Sequence, residues 1–236
     1  MIPIDYRFPD DWAGKAPPLF KYGRRVHVDS FLRTGRLKLT TYGECKVMDS
    51  TRRDRREGMA NSLLNFSDGG AVAGVHGVGR TSYMFCTSMK EGAATMELFE
   101  GAETWFRIDD VDGFAQAIGE TIQGCNRVLV GPCRYVPARL IERRDVQRPD
   151  ASELIRVACG GGDRAAIERA LEGFHQQLGD MVQGAVADVP YFVKVAESHE
   201  REAEFRFVWL VDHAVPEGPV TPIDVPAVVQ FCSAAA

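Results

Sequence analysis

The sequence lacks the patterns that mark membrane and secreted proteins. No uninterrupted apolar stretch approaches the roughly 20 residues that a membrane-spanning helix needs. The first residues, MIPIDYRFPDDW, also lack the basic-then-apolar order of a secretory signal. The sequence therefore predicts a cytoplasmic protein without a membrane partner.

Motifs for metal binding and for nucleophilic hydrolysis are missing as well. The six cysteines are scattered without a C-x-x-C pair, so neither a zinc site nor a disulfide framework is indicated. The five histidines show no H-E-x-x-H spacing, which predicts a protein without a metal. No serine lies in a G-x-S-x-G context and no cysteine lies in a protease-like signature, so a serine or cysteine hydrolase has little support.

The composition is that of an ordinary globular protein. Of the 236 residues 45% are hydrophobic and 26% are charged, which is enough for a sizeable core. We predict a single α+β domain over residues 1–236, in which the four prolines of residues 1–18 make an irregular N-terminal arm. The net charge of -5 argues against a protein that mainly coats nucleic acid, although a local basic site is compatible with it.

Helices and strands are interspersed along the chain. The segments PLFKYGR and RLKLTTY alternate as strands do, and the short helix between them can end at Gly35. Two amphipathic helices follow, with Asp109 or Asp110 as the cap of the first and Asp163 as the cap of the second. Because the strict alternation of a doubly wound sheet is missing, we predict an α+β fold with antiparallel pairing.

The most polar part of the chain contains the basic run TRRDRRE. It brings together Arg52, Arg53, Arg55 and Arg56. A solvated helix face is the usual explanation of such a run, and a patch that contacts the phosphates of a nucleic acid is the alternative. The glycine-rich GGAVAGVHGVGR that follows matches neither a dinucleotide-binding fingerprint nor a P-loop, so we interpret it as a mobile loop or a bulged strand.

The stretch HEREAEFRFVWL carries acids at alternate positions and aromatic residues near its end. As a strand it would place Glu200, Glu202, Glu204 and Arg206 on one face, whereas as a helix it would set Glu200 against Glu204. We predict a strand whose other face is buried. The acids then form either a solvated face or the rim of a cleft. Glu204 is the favoured functional acid because it lies nearest the apolar end, and its structural alternative is an ion pair with Arg206 or Lys194.

Four pieces of the chain, taken in order, resemble a widespread, largely uncharacterised bacterial family. They are LFKYGR…SFLRTGRLKLT, YMFCTS, CRYVP and YFVKVAESHEREAEFRFVW, and they span most of residues 19–209. Members of the family begin with an aromatic-Lys/Arg-Tyr strand, carry a central CFS-like strand and end in E-x-E-[FY]-R. The order of elements is similar to the ADP-ribosyltransferase-like fold. The resemblance implies a mostly antiparallel central sheet system, divided into split sheets, with flanking helices.

The resemblance also implies a site for NAD as a substrate. In that fold the first strand anchors NAD, a second strand contacts the nucleotide through small hydroxyl residues, and a late strand presents a glutamate. The implied catalytic residues are Glu204 and Glu202. The implied NAD-binding residues are Lys21, Tyr22, Arg24, Tyr83, Thr87, Ser88 and Arg206.

The chemistry of NAD cleavage gives these residue types a reason. The nicotinamide–ribose bond breaks through an oxocarbenium-like state, which a nearby carboxylate stabilises. The implied function is an NAD-dependent ADP-ribosyltransferase-like enzyme, of the kind that acts as an intracellular toxin or phage-defence effector on nucleic acid or protein. The alternatives are a non-catalytic nucleotide- or RNA-binding module on the same scaffold and an interaction protein whose acids are structural.

The phosphate-contacting interpretation of the basic run can be tested by replacing Arg52, Arg53, Arg55 and Arg56 with serine. We expect weaker binding of nucleic acid and a flatter salt dependence, because each lost phosphate contact removes a released counterion. The measurement is the affinity for a short RNA over a series of salt concentrations. If the parent protein binds no nucleic acid even at low salt, the solvated-face interpretation is the correct one.

Overall fold

The strands of the described residues form one large sheet and three small ones. The computed structural model describes residues 1–8, 16–47, 56–186 and 188–235. The strands are β1 (Ile4–Tyr6), β2 (Leu19–Gly23), β3 (Arg36–Leu37), β4 (Thr40–Thr41), β5 (Met59–Phe66), β6 (Ala71–Gly77), β7 (Ser82–Ser88), β8 (Thr104–Ile108), β9 (Cys125–Pro132), β10 (Arg134–Val136), β11 (Leu140–Val146), β12 (Val193–Val195), β13 (Glu204–Val211), β14 (Ile223–Asp224) and β15 (Cys232–Ala234).

The helices lie between these strands. They are α1 (Arg25–Thr34), α2 (Tyr42–Val47), α3 (Ala93–Met96), α4 (Val111–Thr121), α5 (Ser152–Cys159), α6 (Arg164–Val186) and α7 (Ala196–His199). As predicted, α1 ends at Gly35 in the left-handed conformation, and the backbone N–H groups of Gly113 and Ala166 donate to the capping carboxylates of Asp110 and Asp163. No helix in the described ranges combines the length and the apolar character needed to cross a membrane.

The large sheet is mixed. Its strands run in the order β1-β9-β13-β7-β2-β8-β15, with β4 paired to β7. The pair β1–β9 is parallel, as are β5–β11 and β10–β12 in the small sheets, whereas β13 is antiparallel to both of its neighbours. The α+β class is confirmed, but the expectation of a mostly antiparallel system is wrong. Parallel partners are far apart in sequence and are joined by long crossovers, so alternation within one segment does not reveal them.

The N-terminal arm is not irregular throughout. Ile4 to Tyr6 form the edge strand β1, in register with Val128 to Val130 of β9. Prolines confined to the flanks of such a segment leave its N–H groups available for pairing. The expectation of an irregular arm is therefore wrong for β1, and residues 9–15 lie outside the described residues.

The predicted late strand is shorter than the alternation suggested. Residues 196–199 are helical, Glu200–Glu202 form a 3-10 turn, and β13 begins only at Glu204. Ala203 between them has a φ of 45°, a left-handed conformation that ends the turn and breaks the alternation of a strand. Glu200, Glu202 and Glu204 therefore do not share one strand face, and only Glu204 belongs to the sheet.

The aromatic face of β13 forms the centre of the core, as expected. Phe205, Phe207 and Trp209 are fully buried, and Phe207 lies 5.0 Å from Phe114 of α4 between ring centroids. The indole N–H of Trp209 donates to the Ala115 carbonyl at 2.9 Å. An aromatic core of this kind contributes both buried area and specific ring contacts, so α4 holds β13 in place.

Three strands that carry residues of the implied NAD site lie next to one another in the large sheet. β2, β7 and β13 are consecutive in the large sheet, and Ser88 is the register partner of both Phe20 and Glu204. Arg206 lies opposite Cys86 in the same ladder. The sheet therefore brings the candidate residues of its first, middle and last segments side by side.

The hydrogen bond of Trp209 provides a test of this core. We expect Trp209→Phe to lower the free energy of unfolding by roughly 2 to 3 kcal/mol, because it removes the bond to Ala115 and leaves a cavity. The control is Trp105→Phe, since the buried Trp105 indole N–H has no hydrogen-bond partner among the described residues. Urea unfolding of both variants should show a clearly larger loss for Trp209→Phe, and equal losses would contradict the role assigned to this bond.

Candidate active site

A cleft of about 290 Å³ lies over β2, β7 and β13. Seven of the nine residues implied to bind or cleave NAD line it. They are Lys21, Tyr22, Thr87, Ser88, Glu202, Glu204 and Arg206. The cleft is thus built from three adjacent strands and from the turn that precedes β13, and we call it the charged cleft.

The other two residues of the implied NAD site lie outside the cleft. Arg24 is exposed at the start of α1, and Tyr83 packs against the large hydrophobic core. Of the basic run, Arg52, Arg53 and Arg55 lie outside the described residues. Arg56 is described and is exposed. The structure therefore does not bring Arg24 or Tyr83 to the charged cleft.

The floor of the charged cleft is a buried triad of charged residues, which consists of Glu204 and Arg206 of β13 and Lys194 of β12. The Arg206 Nε donates to Glu204 Oε1, and Lys194 Nζ of β12 donates to Glu204 Oε2 at 2.6 Å. The side chains of Glu204 and Lys194 are each 7% exposed and that of Arg206 is 1% exposed. Both structural partners considered for Glu204 are therefore present at once.

The charges continue beyond this triad in two directions. Inward, Arg206 Nη1 lies 2.6 Å from Glu57 Oε1 and donates to the Tyr191 carbonyl at 2.7 Å. Outward, Lys194 Nζ also donates to Glu202 Oε2 at 3.1 Å, and the other oxygen of Glu202 lies 3.2 Å from His199 Nδ1. Lys194 therefore links the buried carboxylate to the one nearer the solvent. Each buried charge of this network therefore has a partner of opposite sign, which offsets the cost of removing it from water.

The electrostatics of the site keep both glutamates ionised. Burial raises the pKa of the Glu204 carboxyl, but the charges of Arg206 and Lys194 outweigh it and hold that pKa well below its usual range. Burial likewise raises the pKa of Glu202, and the His199 hydrogen bond and the Lys194 charge bring it below its usual value. Burial lowers the pKa of Lys194, but Glu204 raises it above its usual range. The site therefore offers carboxylates rather than carboxylic acids at neutral pH.

The main chain of Glu204 is held from a third side. Its backbone N–H donates to the Tyr135 hydroxyl at 2.8 Å, and its carbonyl accepts from the Cys133 backbone N–H at 2.8 Å. The Cys133 thiol lies 3.6 Å from Glu204 Oε1, and burial raises the pKa of that thiol well above its usual value. Cys133 is therefore a neutral neighbour of the carboxylate rather than a thiolate nucleophile.

Two hydroxyl groups of β7 hydrogen-bond to the backbone of β13 and of the turn that precedes it. Ser88 Oγ donates to the Glu202 carbonyl at 2.7 Å and accepts from the Lys90 backbone N–H at 3.1 Å. Thr87 Oγ1 donates to the Phe205 carbonyl at 3.0 Å. Both hydroxyls thus hold the backbone on either side of Glu204.

One wall of the charged cleft is cationic and aromatic. Lys21 Nζ donates to the Cys86 carbonyl at 2.7 Å and lies 4.5 Å from the centre of the Phe85 ring. The Tyr22 ring stacks on Phe99 at 5.1 Å between centroids, and its hydroxyl donates to the Lys90 carbonyl at 2.7 Å. A flat ring and a nearby cation are the usual components of a site for a ring-bearing anion.

Several contributors to the site carried little signal in the sequence. Lys194 was expected only as a structural ion-pair partner of Glu204, although its place between valines in VKV, a charged residue inside an apolar run, marks it as a candidate for the site. Glu57, Tyr135 and Arg139 have no such mark. Arg139 is buried behind the triad, where burial and the Arg206 charge lower its pKa to about 10. Among the described residues no cluster of three or more His, Cys, Asp or Glu side chains is placed to hold a metal ion.

The buried triad predicts a pH-dependent stability. Because the folded pKa of Glu204 is below its ordinary 4.5, its ion pairs contribute fully above that pH and are lost as the pH falls through the lower folded value. At neutral pH we expect Glu204→Gln to cost roughly 3 to 5 kcal/mol, since two buried cations each lose one of their two carboxylate partners.

Urea unfolding across the acid range tests this expectation. The stability gap between the parent and Glu204→Gln should narrow as the pH drops below 4.5. The matched control is the exposed Glu200→Gln, which should stay within about 0.5 kcal/mol of the parent at neutral pH. A gap that does not change with pH would contradict the assigned role of the ionised carboxylate.

Comparison with known proteins adds no assignment to this cleft. No protein-family model, no curated protein and no solved structure matches the chain. The resemblance to ADP-ribosyltransferases therefore stays a prediction, and the function of the cleft has to be argued from its own residues.

Proposed function

We propose that the protein is an NAD-dependent ADP-ribosyltransferase-like enzyme that acts at the charged cleft. The observation that carries this proposal is the meeting of Lys21, Tyr22, Ser88, Glu202 and Glu204 around one cleft. Those residues come from distant parts of the chain and were implied by one and the same resemblance. A shared cleft is the arrangement that NAD cleavage requires, because the ring, the ribose and the phosphates are bound together.

Glu202 and Glu204 differ in their exposure and in the number of cations that they contact. Both oxygens of Glu204 are held by cations, whereas Glu202 is 16% exposed in its side chain and contacts one lysine. A carboxylate next to two cations stabilises a developing positive charge less than one next to a single cation. Glu202 is accordingly the member that faces the ribose. Glu204 keeps Lys194 and the turn in position beneath it.

The proposed reaction is a transfer of the ADP-ribosyl group. The bond between the ribose carbon and the nicotinamide nitrogen breaks, the electron pair leaves with the nitrogen, and neutral nicotinamide departs. The ribosyl cation left behind is stabilised by the Glu202 carboxylate and takes an electron pair from a nucleophile of the acceptor. The acceptor proton passes to Glu202 or to the adjacent His199.

The wall residues support the binding of the substrate. The Tyr22 ring, which is buried and stacked on Phe99, gives the wall an apolar edge for the nicotinamide, and Lys21 offers a cation for the phosphates. In the proposed reaction the acceptor of the ADP-ribosyl group is a nucleic acid or a protein. A role as a toxin or phage-defence effector would follow from modification of an essential acceptor.

A second function is favoured by a different observation. Because Glu204 is fully compensated by Arg206 and Lys194, the floor of the cleft also fits a non-catalytic module that binds a nucleotide. In such a module the same ion pairs shape the pocket and no bond is broken. The two functions differ in turnover and not in binding.

Nicotinamide release from NAD separates these functions. For the enzyme we expect Glu202→Gln to lower the turnover rate by about a hundredfold, since one group that stabilises the transition state is removed. Its melting temperature and NAD affinity should stay near those of the parent. Glu204→Gln should lose activity together with thermal stability.

The control is Glu200→Gln, an exposed neighbour in the same turn. Release by the parent and by this control, combined with loss in Glu202→Gln at an unchanged melting temperature, supports the enzyme. NAD binding by the parent without release in the presence of protein and RNA acceptors supports the module. Absence of both binding and release overturns both proposals.

A further inference from the structure

A second cavity, of about 480 Å³, shares part of its lining with the charged cleft. It opens between β2, α1 and β3, and Lys21, Tyr22 and Phe85 line both spaces. Its volume is within the range of sites that hold small molecules, which is roughly 300 to 1,000 Å³. We call it the α1 cavity.

The deep part of the α1 cavity is apolar and rich in aromatic rings. Phe31 of α1 stacks on Phe106 of β8 with 4.3 Å between ring centroids, and Phe85 and Leu37 complete the floor. All four side chains belong to the large core and are rigidly packed there. A rigid aromatic floor favours a flat ring over a flexible aliphatic chain, because ring stacking adds to area burial.

The rim of the α1 cavity is basic. Its charged side chains are Lys21, Arg36 and Lys38, with His27 beside them, and none of the lining residues is acidic. Lys21 donates to the Cys86 carbonyl and Lys38 is paired with Glu44. Arg36 is exposed and forms no ion pair within 4.0 Å among the described residues, although Asp224 of β14 stands opposite it in the strand pair. The Arg36 guanidinium is therefore the cation at this rim that can receive an anion in two parallel hydrogen bonds.

We propose that the α1 cavity is a binding site for a ring-bearing anion, a small molecule with a flat aromatic body and one phosphate or carboxylate group. The ring lies against Phe31, Phe85 and Phe106, and the acidic group is bound by Arg36. This site is separate from the carboxylates of the charged cleft. It does not depend on NAD cleavage, so it can be tested with NAD absent.

The probe is phenyl phosphate, with its binding measured by titration calorimetry on the full chain. Phenol, which lacks the charge, and inorganic phosphate, which lacks the ring, should each bind at least about tenfold more weakly, since each omits one half of the site. Decanoate, an anion with an aliphatic body, should also bind more weakly than phenyl phosphate. Tighter binding of decanoate, or no binding of phenyl phosphate, overturns the proposal.

Two pairs of variants locate the site. Arg36→Gln should weaken binding of phenyl phosphate about tenfold, whereas Arg33→Gln, an exposed arginine of α1 outside the cavity, should leave it unchanged. Ser30→Trp fills the cavity and should abolish binding, whereas Ser30→Ala should retain it. Melting temperatures identify any variant that fails to fold. If Ser30→Trp does not fold, the comparison of Arg36→Gln with Arg33→Gln decides. Equal affinities of Arg36→Gln and Arg33→Gln overturn the proposal.

Discussion

A buried arginine in the middle of the large sheet is the feature on which the rest of the site depends. Arg206 is 1% exposed and belongs to the central strand β13, where an uncompensated charge would be prohibitively costly. It is tolerated because Glu204, Glu57 and the Tyr191 carbonyl surround it. The compensating groups come from three segments of the chain. Burial of Arg206 therefore depends on residues 57 and 191, which lie far from β13 in the chain.

β13 combines two different kinds of interior. On one face Phe205, Phe207 and Trp209 pack against α4 in an apolar core, and on the other face Glu204 and Arg206 belong to an ionic network. The period-two geometry of a strand makes this division possible, because successive side chains point to opposite sides. The aromatic face contributes stability by burial of area, while the ionic face restricts the geometry of the cleft. A charged floor fixed from behind by a rigid core is well preorganised for binding.

The turn before β13 gives the site its asymmetry. Glu202 and Glu204 are two residues apart, yet the left-handed Ala203 places one above the sheet and the other inside it. Lys194 contacts both carboxylates, so the exposed acid is electrostatically coupled to the buried one. A ligand that approaches Glu202 therefore meets a carboxylate whose orientation is set by the floor beneath it. The same wall residue, Lys21, also lines the α1 cavity.

The sequence by itself determined the local features of the protein. Alternation predicted β2 and the apolar half of β13, and capping residues predicted the helices that begin after Asp110 and Asp163, because these signals depend only on neighbouring residues. Only the tertiary structure decided which acid is buried, which strands are parallel and which cations compensate the charges. The parallel pairing of β1 with β9 and the ion pair of Arg206 with Glu57 join residues that are far apart in the chain. The left-handed conformation of Ala203 is likewise not marked by any local pattern.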